Sequence, residues 1–353
     1  MNYTSAEQNL IVLSAIAEMT YNEKYAALSA LMDSTPDFES CKNSLIKRCS
    51  SGVYNKVRET YSDPAFRTRV FEELDKRGIV CSTYFSDDYP ELLRQIPTPP
   101  LVLFLKGRRE LLKGDCFTIV GSRHSQMTAL AQCRYFSSEL SKYFTIVSGY
   151  ATGGDSAALS GAECRAISVI ASGFDHFKCG ADSPVKRVES EGLLISEYFP
   201  TLPPQDYMFH VRNRILAGLS RGTLVVSAAE KSGTLITANY AADYGREVFA
   251  FPYSVGVVSG VGCNNLIKEG ANLCQNPLDI LSVFGLDLKP QPEVQLSADE
   301  KRVLEILKEQ GEGFLPALSQ KLGMPSFKLI PVLSLLEIKG LIVRLGGNRY
   351  GVV

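Results

Sequence analysis

Arg212, Asn213 and Arg214 fall on one expected helix, and downstream of them the small polar turn Ser232-Gly233-Thr234 opens another. Guanidinium groups are planar, permanently charged forks that match phosphate oxygens. A turn that feeds a helix N-terminus adds backbone N–H groups and the positive end of the helix dipole. Together these features read as one wall of a site for something phosphorylated. The competing reading keeps both arginines in structural ion pairs and leaves Gly233 as an ordinary turn residue.

A buried sheet must position these residues. Residues 223–226 are too apolar to alternate, as expected of a strand covered on both faces. Further strands are expected at residues 101–105, 117–120, 145–148, 167–171, 193–196, 223–227 and 248–251, most of them separated by helical stretches. This is the pattern of an α/β fold with a mostly parallel, Rossmann-like sheet. Ligands in such folds bind beyond the carboxyl ends of the strands. Those ends carry Gly121-Ser122-Arg123, Ser148-Gly149, Ser172-Gly173 and Ser232-Gly233-Thr234. Arg123 thus joins Arg212 and Arg214 as a phosphate fork. Gly121, Ser122, Ser148, Gly149, Ser232 and Gly233 are places where a phosphate can approach the main chain. Phe174, Phe177 and Tyr253 are candidates for stacking on bases, against the default of core packing.

Composition bounds the function. A formal net charge of −1 argues against a strongly basic nucleic-acid binder, so any basic surface must be local. The nine cysteines contain no Cys-x-x-Cys pair and only three histidines accompany them, so neither a metal cluster nor a disulfide framework is expected, and a reduced cytoplasm fits. The N-terminus lacks a basic segment followed by an apolar one. No apolar run approaches the roughly 20 residues that span a bilayer, so neither export nor a membrane contact is expected.

Two modules flank the sheet. Residues 1–78 are expected as a helical, SAM-like module, with Leu10, Leu13 and Ile16 and then Tyr25, Leu28 and Leu31 at helical spacing. Residues 79–285 form the Rossmann-like unit, and residues 286–297, with Pro290 and Pro292, a linker. Residues 298–353 read as three short helices and a hairpin, a winged helix. Its third helix is mostly apolar, with Lys328 and Lys339 its only cations, so a protein-contact role is expected rather than base reading.

In order along the chain, Tyr89-Pro90 with Pro99-Pro100, TIVGSR (118–123), VSGYATGGD (147–155), GLLISEY (192–198), RNRILAGLS (212–220), SGTLITA (232–238), GREVFAFP (245–252) and NNLIKEGA (264–271) resemble the DNA-processing protein A (DprA, or Smf) family. LLEIKGLI (335–342) and GGNRY (346–350) resemble its C-terminal winged helix. The resemblance implies an extended Rossmann-like domain that binds single-stranded DNA, dimerises, and hands the strand to the RecA recombinase in natural transformation, with no nucleotide or metal cofactor. Some positions depart from the family pattern. Thr152 stands where a basic residue is usual, Leu159 where a histidine is, Lys178-Cys179 where Tyr-Pro is, and Tyr253 where a glycine is. Lys178 and Lys186 are the cations that can restore charge nearby, and Lys178 is counted among the candidate binding residues.

A rival from another class is a nucleotide phosphoribohydrolase similar to the cytokinin-activating group. Of that group's Pro-Gly-Gly-x-Gly-Thr-x-x-Glu motif only Gly233-Thr234 survives here, and Thr237 occupies the place of the catalytic glutamate. A threonine cannot serve as a carboxylate acid or base, and no spacing pairs Glu197 with Glu230, so no enzyme activity is expected. A third reading, a sensor for a free nucleotide, keeps the same pocket.

Overall fold

The computed structural model describes residues 3–16, 19–32, 46–47, 49–177, 184–287 and 296–352. Its centre is a nine-stranded sheet in the order β1-β2-β6-β5-β4-β3-β7-β8-β9. The strands are β1 (Val80–Thr83), β2 (Val102–Gly107), β3 (Cys116–Gly121), β4 (Thr145–Ser148), β5 (Ala166–Val169), β6 (Leu193–Ser196), β7 (Gly222–Ser227), β8 (Glu247–Ala250) and β9 (Asn272–Leu273). From β6 to β9 every neighbouring pair is parallel. The sheet is mostly parallel, as expected, with an antiparallel edge. β1 and β2 form an antiparallel pair, and β2 runs antiparallel to β6. Here Tyr89 Oη donates to the Pro100 carbonyl at 2.7 Å, which ties the Tyr-Pro and Pro-Pro motifs into one turn.

The central strands β3, β4, β5, β6 and β7 are buried along their whole length, which is why their sequences do not alternate. Side chains on one face pack with Ile215, Leu216, Leu219 and Ala238 from helices Asp206–Leu219 and Thr234–Asp243. The other face packs with Phe136, Leu140, Ala157 and Leu159 from helices Met127–Leu140 and Gly154–Gly161. The chain winds outward from β3 through β4, β5 and β6, and helix Asp206–Leu219 then returns it to β7 on the other side of β3. A crevice opens at such a reversal, because neighbouring connections leave on opposite faces.

Helices Ser5–Ser14, Tyr21–Met32, Ser51–Ser62 and Pro64–Lys76 make the N-terminal module. Its apolar side chains share a core with Val102 and Phe104 of β2. Glu7 closes the capping box of the first helix with Thr4 and also accepts from Ser86 Oγ at 2.6 Å, pinning the module to the loop after β1.

The C-terminal residues form helices Ala298–Gln310, Leu315–Leu322 and Ser326–Ile338 with a small sheet in the order β10-β12-β11 (Glu312–Phe314, Arg349–Val352, Ile342–Leu345). In the third helix Leu329, Leu333 and Leu336 are buried, while Phe327, Ile330, Leu335 and Ile338 are exposed. No helix among the described residues is long and apolar enough to cross a membrane.

Candidate nucleic-acid interface

The crevice at the β3/β7 reversal is a pocket of about 320 Å³. Gly121, Ser122, Arg123 and His124 line it from the end of β3, Tyr150 and Ala151 from the loop after β4, Asp155 from the first turn of helix Gly154–Gly161, Phe209, His210, Arg212 and Asn213 from helix Asp206–Leu219, and Ser232, Gly233 and Thr234 from the turn after β7 and the helix it opens. Residues far apart in sequence thus meet at one strand-end edge. Asn213 Nδ2 donates to the Gly233 carbonyl at 3.4 Å, joining the two stretches that the sequence singled out.

The three arginines separate into different environments. Arg123 is exposed on the rim. Arg212 is only 6% exposed yet lines the pocket, where its Nη1 donates to the Val169 carbonyl at the end of β5. It forms no salt bridge among the described residues; its nearest counter-charge is Asp155, which faces it across Gly149. Arg214, 5% exposed, does not line the pocket: Nη2 donates to both Glu197 carboxylate oxygens, at 2.5 and 2.6 Å, and the guanidinium lies over the Tyr21 ring. Burial opposes its charge, but the Glu197 carboxylate outweighs burial and raises its pKa. For Arg214 the geometry therefore replaces the expected phosphate fork with an ion pair.

Asp155 closes the VSGYATGGD motif and is a site residue that the motif alone does not mark as one. It sits in the first turn of helix Gly154–Gly161 and accepts from the backbone N–H groups of Gly121, at 3.3 Å, and Ala151, at 3.4 Å. Burial pushes its carboxyl group up; Arg212 and the two N–H donors oppose that rise. A resident carboxylate thus occupies backbone donors at these strand ends. The glycines change role accordingly. A Cβ on Gly121 would overlap Val226 and the Gly154 backbone, and one on Gly149 would overlap Asp155 and Arg212, so both serve internal packing. Ser148 is buried, with Oγ donating to the Ile119 carbonyl at 2.6 Å, and is turned away from the pocket. Gly233 has open space where a side chain would be, at the N-cap of helix Thr234–Asp243. Ser232 Oγ accepts from the Thr234 N–H at 3.3 Å. Ser122 N donates to the Ser227 carbonyl at 3.0 Å, fixing the rim loop that carries Arg123. Lys178 lies outside the described residues.

The aromatic residues follow the default of core packing. Phe174 packs against the cores, and Tyr253 sends its hydroxyl to the Val226 carbonyl at 2.6 Å. Phe177 lies against Tyr150, centroids 4.5 Å apart. The rings at the pocket are Tyr150 and Phe209, the latter 38% exposed. Helical spacing offers the missed signal, because Phe209 and Asn213 are four apart and share a face. Thr237 lines the pocket, Glu197 is paired with Arg214, and Glu230 is exposed outside the lining.

The family described as DNA recombination-mediator protein A matches residues 80–285, which contain the sheet and every pocket residue. The chain belongs to the DNA recombination-mediator protein A family. Among relatives in this family, DNA processing protein DprA of Streptococcus pneumoniae (strain ATCC BAA-255 / R6) is 36% identical over 243 residues, 68% of this chain and 84% of that protein. The X-ray structure of DNA processing protein A from Streptococcus pneumoniae aligns with a TM-score of 0.68 at 29% identity, over 82% of this chain and 100% of that one. DNA processing protein A from Helicobacter pylori, whose structure was described for its unique single-stranded DNA binding mode, aligns with a TM-score of 0.53 at 26% identity, over 58% of this chain and 95% of that one.

Proposed function

We propose that this chain binds single-stranded DNA in the crevice between β3 and β7, without cleaving it. The observation that carries the reading is the make-up of the rim: exposed Arg123, the sterically uncrowded turn at Gly233 with Ser232 and Thr234 beside it at the start of a helix, Arg212 behind, and the Phe209 ring. Cations and a helix N-terminus hold a phosphate backbone, and an aromatic ring supports bases of any sequence. The one carboxylate lining the pocket, Asp155, is buried against Arg212 rather than aimed at a reacting atom. Residues 79–285 act as the binding unit, residues 1–78 brace it, and residues 298–353 form a winged-helix unit that meets protein through its exposed apolar helix. The family resemblance supports a cytoplasmic homodimer that passes the strand to the RecA recombinase.

The test is a salt series of binding to a short single strand, to the matching duplex and to mononucleotides. Single strand is expected to bind best, and Arg123→Ala to lower the log-log salt slope by about 0.7, the loss of one phosphate contact. A mononucleotide that protects the fold as well as the oligonucleotide does, or an unchanged slope in the folded variant, overturns the reading.

A further inference from the structure

A second cavity, of about 390 Å³, lies at the carboxyl ends of β8 and β9 against helix Met127–Leu140. It shares a loop with the first pocket: residues 122–124 line one, and Gln126 begins the lining of the other. Both open at the edge where the parallel strands end. Strands β3 and β8 are separated only by β7, and the two cavities flank this strand-end edge from opposite faces of the sheet.

The lining chemistry of the two cavities differs. The second has no charged side chain, so it is not built for phosphate. Its apolar wall is Phe136 and Phe251, packed edge to face with centroids 4.8 Å apart, together with Tyr253. Around this wall stand Gln126, Gln132 and Gln275, none of whose amide side chains has a hydrogen-bond partner among the described residues. A primary amide presents a donor and an acceptor side by side, the pattern found on the edges of nucleobases, and aromatic walls suit their faces. Thr128, Gln132 and Phe136 succeed one another at four-residue spacing, so one helix face supplies both polar and apolar parts.

We infer that this cavity is a nucleobase subsite, which takes a base of the same strand whose backbone lies in the β3/β7 crevice. The inference rests on the single-strand reading above, and its test separates the two. Full-length protein is titrated with a short oligonucleotide, and with a nucleoside that carries no phosphate, at several salt concentrations. Gln132→Ala, and separately the exposed pair Gln126→Ala with Gln275→Ala, are expected to weaken oligonucleotide binding by about tenfold while leaving the salt slope at its wild-type value. The nucleoside should bind with little salt dependence and lose affinity in the same variants. Wild-type affinity for the oligonucleotide in both folded variants overturns the subsite and leaves the crevice reading intact. A variant whose salt slope falls as it does for Arg123→Ala also overturns it, because the cavity would then hold phosphate. Absence of single-strand binding by the wild-type chain overturns both.

Discussion

The crevice between β3 and β7 and the seam beneath the N-terminal module each receive one arginine from helix Asp206–Leu219, and both arginines are buried. In the seam, Arg214 meets Glu197 through two short hydrogen bonds from Nη2 and the Tyr21 ring covers it, so its charge is paired within the protein even though Nη1 has no hydrogen-bond partner among the described residues. In the crevice, Arg212 bonds a backbone carbonyl and faces Asp155 without closing a salt bridge among the described residues. Its charge is only partly answered, and it points where a ligand can complete the balance. Residue type and spacing are identical at the two positions; what differs is which element lies opposite. A buried guanidinium marks a binding site only when its surroundings leave charge to spare.

Truncating each arginine should separate these roles. Arg214→Ala takes from the largely buried Glu197 its hydrogen-bonded cation and leaves only the charge of Lys24 acting on it, and losing one partner of a buried pair costs about 3–5 kcal/mol. A large fall in Tm is expected, with near wild-type single-strand affinity in whatever fraction remains folded. Arg212→Ala should cost less stability, because burial already favours the protonated form of Asp155, which can neutralise itself. Its affinity should fall instead. Thermal denaturation and binding measured on the same samples check both; equal Tm losses and equal affinity losses would erase the distinction.

A smaller effect tests the crevice alone. Phe209 is exposed at the mouth and stands one turn before Asn213. Phe209→Ala should weaken single-strand binding by about 1–3 kcal/mol, the usual worth of one stacked base. The salt slope should stay fixed, since no phosphate contact is lost. Unchanged affinity would show that the bases rest elsewhere.

Much of this architecture is legible in the chain because it follows from local pattern. Non-alternating, mostly apolar runs mark β3 to β7, and small polar turns mark their carboxyl ends. The pairing of β2 with β6 was not legible, because an antiparallel edge strand carries no local signature of its neighbour. Likewise Ser148 and Gly149 look like ligand-facing positions until Ile119, Asp155 and Arg212 are placed beside them. The fate of Arg214 depended on Tyr21 and Glu197, which lie far from each other in sequence and meet only through the fold. Motifs located the crevice; tertiary neighbours decided which of its residues face outward.

The smallest expected effect lies at the exposed rim of the same seam. There Arg77, at the end of helix Pro64–Lys76, donates from Nε to Asp175 Oδ1 at 2.8 Å and from Nη2 to Oδ2 at 2.7 Å. The hydrogen bonds from Arg77 lower the Asp175 pKa below the usual aspartate value, against some opposition from burial. A carboxyl group whose pKa is lower in the folded state than in the unfolded state stabilises the protein above the unfolded value, near 3.9, and that contribution vanishes as pH falls through the folded value. Because the Asp175 side chain is 37% exposed, solvent screens the pair, and about 0.2–1 kcal/mol is expected. Asp175→Asn should therefore lower stability slightly at pH 7 and in low salt, with the deficit shrinking as salt rises and closing as the pH is taken below the aspartate range. Urea denaturation of both proteins across that range measures it. A deficit as large as that of Arg214→Ala, or one that persists in acid, would mean that exposure does not separate the two pairs and that the seam is held at its rim as firmly as at its centre.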